Sequence, residues 1–308
     1  MHVKTLDSYQ KNLLSIGIKA SLLAGNGVMQ VYDSDFEVNL KGDRSPITDA
    51  DRRSHQILVD RLGKEIPLLS EEGSKIAYED RKGWHLYWLI DPLDGTKEFI
   101  KRNGEFTVNV ALMKRHQPIA GIVYLPAKKV LFFGGLGFGA YRITGGVLDR
   151  IGKFEPGRAL ESALSAATPL PDPASLQALK GIKVIQSISH VTEQEADFTG
   201  RLKAHFGRIE KTSAGSSLKF CLVAEGSADV YPRFGPTMEW DTAAGQCVAE
   251  SSGCEVLNIE TLTPLGYNKQ VLRNGAFLVI GSRFSDGSLS RESMLSLAQT
   301  SSHIAAHQ

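Results

Sequence analysis

The sequence is poor in cysteine and nearly neutral in charge, and each property excludes a class of protein. Its 308 residues include three cysteines, none in a CxxC pair, which argues against a disulfide scaffold and is typical of reduced thiols in a cytoplasm. We expect Cys221, Cys247 and Cys254 to be core residues. The formal net charge is +1, so no global field favours nucleic acid or membrane surfaces. An anionic ligand must therefore be bound by a local group of charges.

Long apolar runs are also missing. No stretch approaches the ~20 apolar residues that a membrane-spanning helix needs, and residues 1–7 (MHVKTLD) lack the apolar segment of a signal peptide. We therefore expect a cytoplasmic, soluble protein with no integral membrane segment and no nucleic-acid partner.

Hydrophobic periodicity predicts an α/β protein. Residues 5–24 have the i+4 spacing of an amphipathic helix ending near Gly25, and Thr48 with Asp51 resembles a capping box for a helix reaching Leu62. Short alternating runs between 106 and 143 indicate an antiparallel meander. Beyond it the pattern predicts strands at 182–188 and 229–231, and helices at 192–206, 216–224 and 242–251.

The length suits one large domain or two medium ones, and we favour two. The segment 165–173 (SAATPLPDP) is rich in proline and small residues, which is typical of a linker. We predict an α+β domain over residues 1–165 and an α/β domain over 166–308.

Two glycine-rich segments do not predict nucleotide-binding loops. Residues 135–139 (GLGFG) continue into a strand rather than a helix, so they indicate a hairpin and not a dinucleotide-binding turn. Residues 215–219 (GSSLK) lack the spacing of a P-loop.

The most informative segment is an acidic turn at residues 88–99 (WLIDPLDGTKEF). An apolar run delivers Asp91 and Asp94 into a turn where they need a positive partner. The proline fixes its own φ and the glycine permits φ > 0, so the turn can direct both carboxylates and the Leu93 carbonyl to one point. An all-oxygen set favours Mg²⁺ over Zn²⁺. Taken alone, such a motif more often indicates an acidic surface turn after a strand than a metal site.

Three distant segments strengthen the metal-site interpretation. They are residues 45–51 (SPITDAD), 68–73 (LLSEEG) and 239–245 (EWDTAAG). Each is weak alone, since such strings also occur as helix caps and solvated loops. Their occurrence in this order around the acidic turn is improbable by chance.

Together these segments resemble the inositol monophosphatase family of Mg²⁺-dependent, Li⁺-sensitive phosphatases, over roughly residues 10–255. Residues 97–99 (KEF), 215–226 (GSSLKFCLVAEG) and 231–237 (YPRFGPT) resemble its bacterial 3′(2′),5′-bisphosphate nucleotidase branch. Inositol phosphatases typically have Thr-Asn-Phe at the first of these positions. The resemblance implies a layered αβαβα sandwich of the inositol monophosphatase and fructose-1,6-bisphosphatase type.

The resemblance also implies a metal site and a catalytic relay. The implied ligands of two or more Mg²⁺ ions are Glu71, Asp91, the Leu93 carbonyl, Asp94 and Asp241. The implied catalytic residues are Thr96, Asp51 and Glu71: the Thr96 hydroxyl orients the attacking water, and Asp51 accepts from that hydroxyl. Asp51 is preferred over Asp49 because it fits the Thr-x-x-Asp spacing, and Glu72 is not expected to bind metal.

For the substrate, the resemblance implies contacts from Gly95, Thr96, His190, Ser216, Lys219, Arg233 and Asp241. Lys219 and Arg233 supply charge for the phosphate that is not cut, and Arg suits bidentate recognition. Two alternatives stay open: Lys219 extends from a helix without binding, and His190 is a structural residue at a strand end.

The predicted function is removal of the 3′-phosphate of adenosine 3′,5′-bisphosphate, giving AMP and phosphate. The sulfated analogue is a second predicted substrate, sulfate assimilation the predicted role, and peripheral membrane association a further implication of the resemblance. The alternatives are an inositol or sugar phosphatase and a catalytically silent nucleotide-binding protein.

Overall fold

The computed structural model describes residues 5–40, 46–178, 180–187, 192–285 and 289–302. Its helices are α1 (Ser8–Tyr32), α2 (Asp49–Leu62), α3 (Tyr78–Arg81), α4 (Thr96–Ile100), α5 (Val147–Ile151), α6 (Pro156–Ala166), α7 (Pro173–Ala178), α8 (Glu193–Phe206), α9 (Leu218–Glu225), α10 (Glu239–Ser251), α11 (Ser282–Ser285) and α12 (Arg291–Ser302). Its strands are β1 (Val38–Leu40), β2 (Pro46–Thr48), β3 (Leu68–Ser70), β4 (Leu86–Asp94), β5 (Thr107–Lys114), β6 (Gln117–Leu125), β7 (Val130–Gly135), β8 (Gly139–Thr144), β9 (Thr168–Leu170), β10 (Ile182–Ser187), β11 (Ile209–Ala214), β12 (Val230–Arg233), β13 (Thr237–Met238), β14 (Glu255–Asn258), β15 (Arg273–Asn274) and β16 (Phe277–Ile280). In the described part of the chain, no helix is both long enough and apolar enough to cross a membrane.

Two large sheets organise the chain. The first has seven strands in the order β3-β4-β5-β6-β7-β8-β9, and the second has five in the order β11-β10-β12-β16-β14. Strands β5 to β8 pair antiparallel with their neighbours, so the predicted meander is confirmed. The glycine-rich residues 135–139 connect β7 to β8, which confirms the hairpin interpretation.

Helices cover both faces of each sheet. Along β4, Trp88 and Ile90 join a core with α1 and α2, whereas Tyr87 and Leu89 join a second core with α9 and α10. That second core also contains one face of the five-stranded sheet, and a third core joins its other face to α8 and α12. The layers therefore alternate helix, sheet, helix, sheet, helix, which confirms the predicted αβαβα sandwich.

Helix α1 is longer than the sequence predicts. It continues to Tyr32, so the predicted end near Gly25 is wrong. Gly25 lies against Tyr124, and a Cβ at this position would collide with that ring. The glycine therefore allows close packing of the helix on the sheet rather than ending it.

The proline-rich segment also differs from the predicted linker. Residues 168–170 form β9, which pairs with β8 at the edge of the first sheet, where a strand proline is tolerated. Hydrogen bonding of the first sheet thus extends to Leu170, beyond the predicted boundary near residue 165. The division into two domains itself stays a prediction.

The close packing of α10 on β6 predicts how a substitution at Gly121 changes the stability of the protein. A Cβ at Gly121 on β6 would collide with the Ala244 carbonyl and with Cys247 on α10. Overpacking typically costs about 1–3 kcal/mol, so Gly121→Ala should lower the free energy of unfolding by that amount, measured by urea denaturation. Gly200→Ala is the matched control: Gly200 lies exposed within α8 with open space at its Cβ position, and this change should stabilise by roughly 0.5–1 kcal/mol. Equal stability changes of the same sign would contradict the packing argument.

Candidate active site

The acidic turn lies where two parallel strands end side by side. Strand β3 pairs parallel with β4, with Ser70 beside Ile90, and the Glu71 N–H donates to the Ile90 carbonyl at 3.3 Å. Glu71 and Asp91 therefore lie next to each other where the pairing of β3 with β4 ends. A register shift between Asp91 and Asp94 interrupts the pairing of β4 with β5, and Gly95 follows at φ 88°. This bulge turns the chain sharply, as the proline and glycine predict.

Asp241 reaches the same place from the other half of the chain. It lies in the first turn of α10, where its Oδ2 accepts from the Met238 N–H at 2.8 Å. The Asp241 carbonyl lies 2.7 Å from Ser217 Oγ, which is itself 2.8 Å from Asp94 Oδ2. One hydroxyl thus contacts residues from two of the four predicted segments, the acidic turn and residues 239–245.

The carboxylates interact strongly. Burial raises the pKa of Asp91 well above its usual value, and the charges of Glu71, Asp94 and Asp241 raise it further. The pKa of Asp241 is raised for the same reasons, chiefly burial and the charge of Asp94, although Arg233 opposes the shift. Packing like charges together is unfavourable unless a cation joins them. The all-oxygen donor set therefore fits a hard divalent ion such as Mg²⁺.

The described carboxylates do not form a ready-made metal cage. Within the described ranges, no group of three or more His, Cys, Asp and Glu side chains is arranged to hold a metal ion as it stands. Mg²⁺ usually keeps several waters and binds one or two carboxylates together with substrate phosphates. An open set of carboxylates is compatible with that mode of binding.

The predicted contact between Thr96 and Asp51 is present. Thr96 Oγ1 lies 3.2 Å from Asp51 Oδ1 and 3.4 Å from the Leu93 carbonyl. Asp51 Oδ2 accepts from both the N–H and the hydroxyl of Thr48 at 2.7 Å. The helix-capping and relay interpretations are therefore compatible, because each uses a different oxygen of Asp51.

Asp51 is more deeply buried than the neighbouring acids Asp49 and Glu72. Asp51 is 2% exposed, and burial raises its pKa although the Thr48 hydrogen bonds oppose the shift. The Asp49 side chain is instead 72% exposed and pairs with Arg52, which agrees with the preference for Asp51. Glu72 is half-buried, and its charge adds to the rise that burial causes in the pKa of Asp51. Burial lowers the pKa of His55, and the Glu72 charge only partly opposes that shift.

A pocket beside the carboxylates contains most of the predicted substrate residues. It is lined by Asp94, Gly95, Ser216, Lys219, Arg233 and Asp241, among others. Two polar atoms on its walls, Ser216 Oγ and Arg233 Nε, are buried without a hydrogen-bond partner in the described structure. Buried donors of this kind indicate a ligand rich in acceptor atoms.

Lys219 is more constrained than its predicted role implies. It is 5% exposed, and its ammonium donates to the carbonyls of Ala214 and Ser216 at 3.2 and 2.8 Å. Burial lowers its pKa to about 8, with the Arg233 charge acting in the same direction and Asp94 opposing it. The ammonium thus supports the 214–216 backbone and adds positive charge to the pocket. Lys219 therefore does not extend freely into solvent, whereas its contact with substrate stays a prediction.

One predicted substrate residue cannot be placed. His190 lies outside the described residues, which resume at residue 192. The strand before it, β10, ends at Ser187, which lines the pocket. The contact of His190 with substrate stays a prediction.

Two site residues were not predicted. Asn109 on β5 is 1% exposed and donates to Asp94 Oδ2 at 3.3 Å and to Ser217 Oγ at 2.8 Å. The available signal was an amide within the apolar run of residues 106–112 (FTVNVAL). Ser217 lies within the quoted segment 215–226, but only the fold shows that its hydroxyl contacts Asp94.

Comparison with known proteins decides the family. The sequence model described as the inositol monophosphatase family matches residues 10–286. The chain belongs to this family. The family resemblance predicted from the acidic segments is therefore confirmed.

Relatives with sequences similar to this chain are bisphosphate nucleotidases of the family. The 3′(2′),5′-bisphosphate nucleotidase CysQ of Salmonella typhimurium is 43% identical over 238 residues, covering 76% of this chain and 85% of the relative. CysQ of Buchnera aphidicola is 35% identical over 257 residues, covering 82% and 86%.

A solved member of the family has the same fold. CysQ from Bacteroides thetaiotaomicron superposes with a TM-score of 0.80 at 43% identity, covering 90% of this chain and 99% of that one. An inositol monophosphatase from Anabaena matches with a TM-score of 0.66 at 21% identity, covering 97% and 100%. At that identity the likeness concerns the fold alone.

Proposed function

We propose that the chain hydrolyses the 3′-phosphate of adenosine 3′,5′-bisphosphate, giving AMP and phosphate. It is a phosphoric monoester hydrolase of the 3′(2′),5′-bisphosphate nucleotidase type, as the names and the 43% identity of its CysQ relatives indicate. Catalysis is metal-dependent, and we propose two or more Mg²⁺ ions held by Glu71, Asp91, the Leu93 carbonyl, Asp94 and Asp241.

One observation carries the choice of substrate. The pocket is lined by acidic residues, among them Asp94 and Asp241, and by three cationic residues, Lys97, Lys219 and Arg233. A monophosphate bound through metal at Asp94 and Asp241 needs no further cation. A bisphosphate brings a second dianion, which needs positive partners once it has left water. The unpartnered Ser216 Oγ and Arg233 Nε supply donors for that group.

The bound Mg²⁺ ions would supply Lewis-acid chemistry, neutralising phosphate charge and lowering the pKa of a bound water. The chain's own residues would position the reactants. Thr96 Oγ1, held 3.2 Å from Asp51 Oδ1, would donate to Asp51 and accept from the attacking water. The water oxygen would then bond to phosphorus while the bond from phosphorus to the 3′-oxygen breaks. The attacking water would lose one proton through Thr96 Oγ1 to Asp51, and the leaving 3′-oxygen would take a proton from solvent and become the hydroxyl of AMP.

The sequence also predicts a second substrate, a biological role and a cellular location. Hydrolysis of the sulfated analogue, a role in sulfate assimilation, a cytoplasmic location and peripheral membrane association stay predictions. Phosphate release from adenosine 3′,5′-bisphosphate, its sulfated analogue, inositol phosphate and fructose bisphosphate, each with and without Mg²⁺, tests the substrate choice. Faster turnover of inositol phosphate than of the adenosine bisphosphate would contradict it.

Arg233 provides the sharpest test of the second phosphate site. A hydrogen bond to a charged group contributes roughly 1.5–3 kcal/mol, and ~1.4 kcal/mol corresponds to tenfold in affinity. Arg233→Ala should therefore raise KM for adenosine 3′,5′-bisphosphate by about 10- to 100-fold, measured by initial rates of phosphate release. Arg233→Lys should recover only part of the loss, because an ammonium cannot make a bidentate contact.

The controls separate substrate recognition from structure. Hydrolysis of a simple monophosphate by Arg233→Ala should change much less than hydrolysis of the bisphosphate. Arg208→Ala removes an equal charge from an exposed side chain that pairs with Glu210 in the same half of the chain, and it should leave KM unchanged. An equal loss on both substrates would identify Arg233 as structural and favour the inositol or sugar phosphatase alternative.

A further inference from the structure

The Ser217 hydroxyl connects the two halves of the proposed metal site. Ser217 is 1% exposed and lies immediately before α9. Its Oγ is 2.8 Å from Asp94 Oδ2, in the acidic turn, and 2.7 Å from the Asp241 carbonyl, in the first turn of α10. These acidic residues are far apart in sequence, so this contact helps to fix the distance between them.

Asn109 determines the direction of these hydrogen bonds. Its Nδ2 donates to Ser217 Oγ at 2.8 Å and to Asp94 Oδ2 at 3.3 Å. An amide has two N–H hydrogens, whereas a serine hydroxyl has one hydrogen and two lone pairs. Ser217 therefore accepts from Asn109 and keeps its own hydrogen for Asp94 Oδ2 or the Asp241 carbonyl. The flipped amide would place an acceptor against the Asp94 carboxylate, so the Nδ2 orientation is favoured.

Asp94 Oδ2 thus accepts from Asn109 Nδ2, and it shares the single hydrogen of the Ser217 hydroxyl with the Asp241 carbonyl. We propose that Ser217 and Asn109 are positioning residues that orient Asp94 so that its other oxygen, Oδ1, faces Mg²⁺. Through its contact with the Asp241 carbonyl, Ser217 also holds the first turn of α10 against the acidic turn. This inference rests on the metal site proposed above. It identifies Ser217 and Asn109 as buried residues that support that site, which the sequence alone does not reveal.

Loss of the support should weaken metal binding more than substrate binding. Residues that orient metal ligands typically change metal affinity by about 10- to 100-fold when they are mutated. Ser217→Ala should weaken Mg²⁺ binding by that factor, measured by calorimetric titration of Mg²⁺ into the substrate-free protein. At saturating Mg²⁺, kcat should return toward the wild-type value. KM for adenosine 3′,5′-bisphosphate should change little, because Arg233 and Lys219 are intact.

A matched variant controls for the loss of a buried hydroxyl. Ser252 is 6% exposed and donates to the Ala249 carbonyl at 2.7 Å near the end of α10, far along the helix from Asp241. Ser252→Ala should leave Mg²⁺ affinity unchanged. If Ser217→Ala does not fold, Asn109→Ser tests the same arrangement, since it removes donors to both Ser217 and Asp94. Where both variants fold, the double variant should lose less affinity than the product of the single losses, because both act through Asp94.

The outcomes distinguish this inference from the proposed function. Wild-type protein that binds Mg²⁺, together with a folded Ser217→Ala or Asn109→Ser variant of equal affinity, overturns the positioning role and leaves the nucleotidase proposal intact. Equal losses in the Ser217 and Ser252 variants also overturn it, because the effect is then not specific to the metal site. Wild-type protein that binds no Mg²⁺ overturns the metal site and this inference together.

Discussion

Asp91→Asn should give a protein that is more stable than the wild type without metal and nearly inactive with it. Asn preserves the size of the side chain and the acceptor for the Leu93 N–H, which lies 3.0 Å from Asp91 Oδ1. It removes one of the four charges that the proposed Mg²⁺ site needs. Metal ions contribute several kcal/mol of charge stabilisation in the transition state, and about 1.4 kcal/mol corresponds to tenfold in rate. We expect kcat to fall by about 10²- to 10⁴-fold.

The stability change follows from the sign of the pKa shift. Burial and neighbouring carboxylates raise the pKa of Asp91 in the folded protein. A carboxyl with a raised folded-state pKa favours folding at low pH, and that contribution is lost as the pH rises through the folded-state value. At neutral pH the Asn variant should therefore have a higher Tm than the wild type in EDTA, measured by thermal unfolding, and a smaller further increase on adding Mg²⁺.

Asp229→Asn is the matched control for a buried aspartate. Asp229 is 1% exposed, but its carboxylate pairs with Arg283 at 3.1 Å in the five-stranded half of the fold. Asp229 lies outside the proposed metal site, so the activity per folded molecule and the rise in Tm on adding Mg²⁺ should both stay as in the wild type. An Asp91→Asn variant with Mg²⁺-stimulated turnover close to wild type would contradict the metal-ligand assignment.

Thr96→Ala should lower kcat by about 10²- to 10⁴-fold, the range for losing a positioned acid–base group. The hydroxyl contacts Asp51 Oδ1 at 3.2 Å, and no other feature of the threonine enters the relay. Mg²⁺ affinity should remain largely intact, because the Leu93 carbonyl and the acidic ligands are unchanged. Single-turnover rates and calorimetric Mg²⁺ titration measure the two quantities separately.

Two variants make the relay falsifiable. Thr96→Ser keeps the hydroxyl and should restore much of the rate. Asp51→Asn should also be slow, and the double variant with Thr96→Ala should be slowed by less than the product of the single losses, since both residues act on one proton. Ala and Ser variants that are equally slow would show that Thr96 acts through packing or backbone geometry.

Local signals in the sequence predict much of this structure. The capping box at Thr48 and Asp51 gives the start of α2 correctly, and Thr192 caps α8 in the same way. Both signals depend on residues three positions apart, so no tertiary information is required. The acidic turn is equally local, because the proline, the glycine and both aspartates lie within five residues.

Features that depend on distant contacts could not be predicted. Gly25 suggests a helix end until Tyr124 is known to pack against it. Asn109 and Ser217 are 108 residues apart in sequence, so neither could be connected with Asp94 from periodicity or spacing. A single sequence gives residue types and local geometry, whereas the orientation of Asp94 arises only when β5, α9 and α10 pack together.

The second core, which joins the two sheets, restricts how substrate enters the pocket. It includes Leu89 and Val123 from the first sheet, Phe220 from α9, and Val256 and Val279 from the second sheet. A hinge opening between the two halves would expose these side chains to water, at about 25 cal/mol per Å² of apolar surface. We therefore expect the halves to remain closed during turnover and to unfold as one cooperative unit, so that the nucleotide diffuses into a preformed cleft.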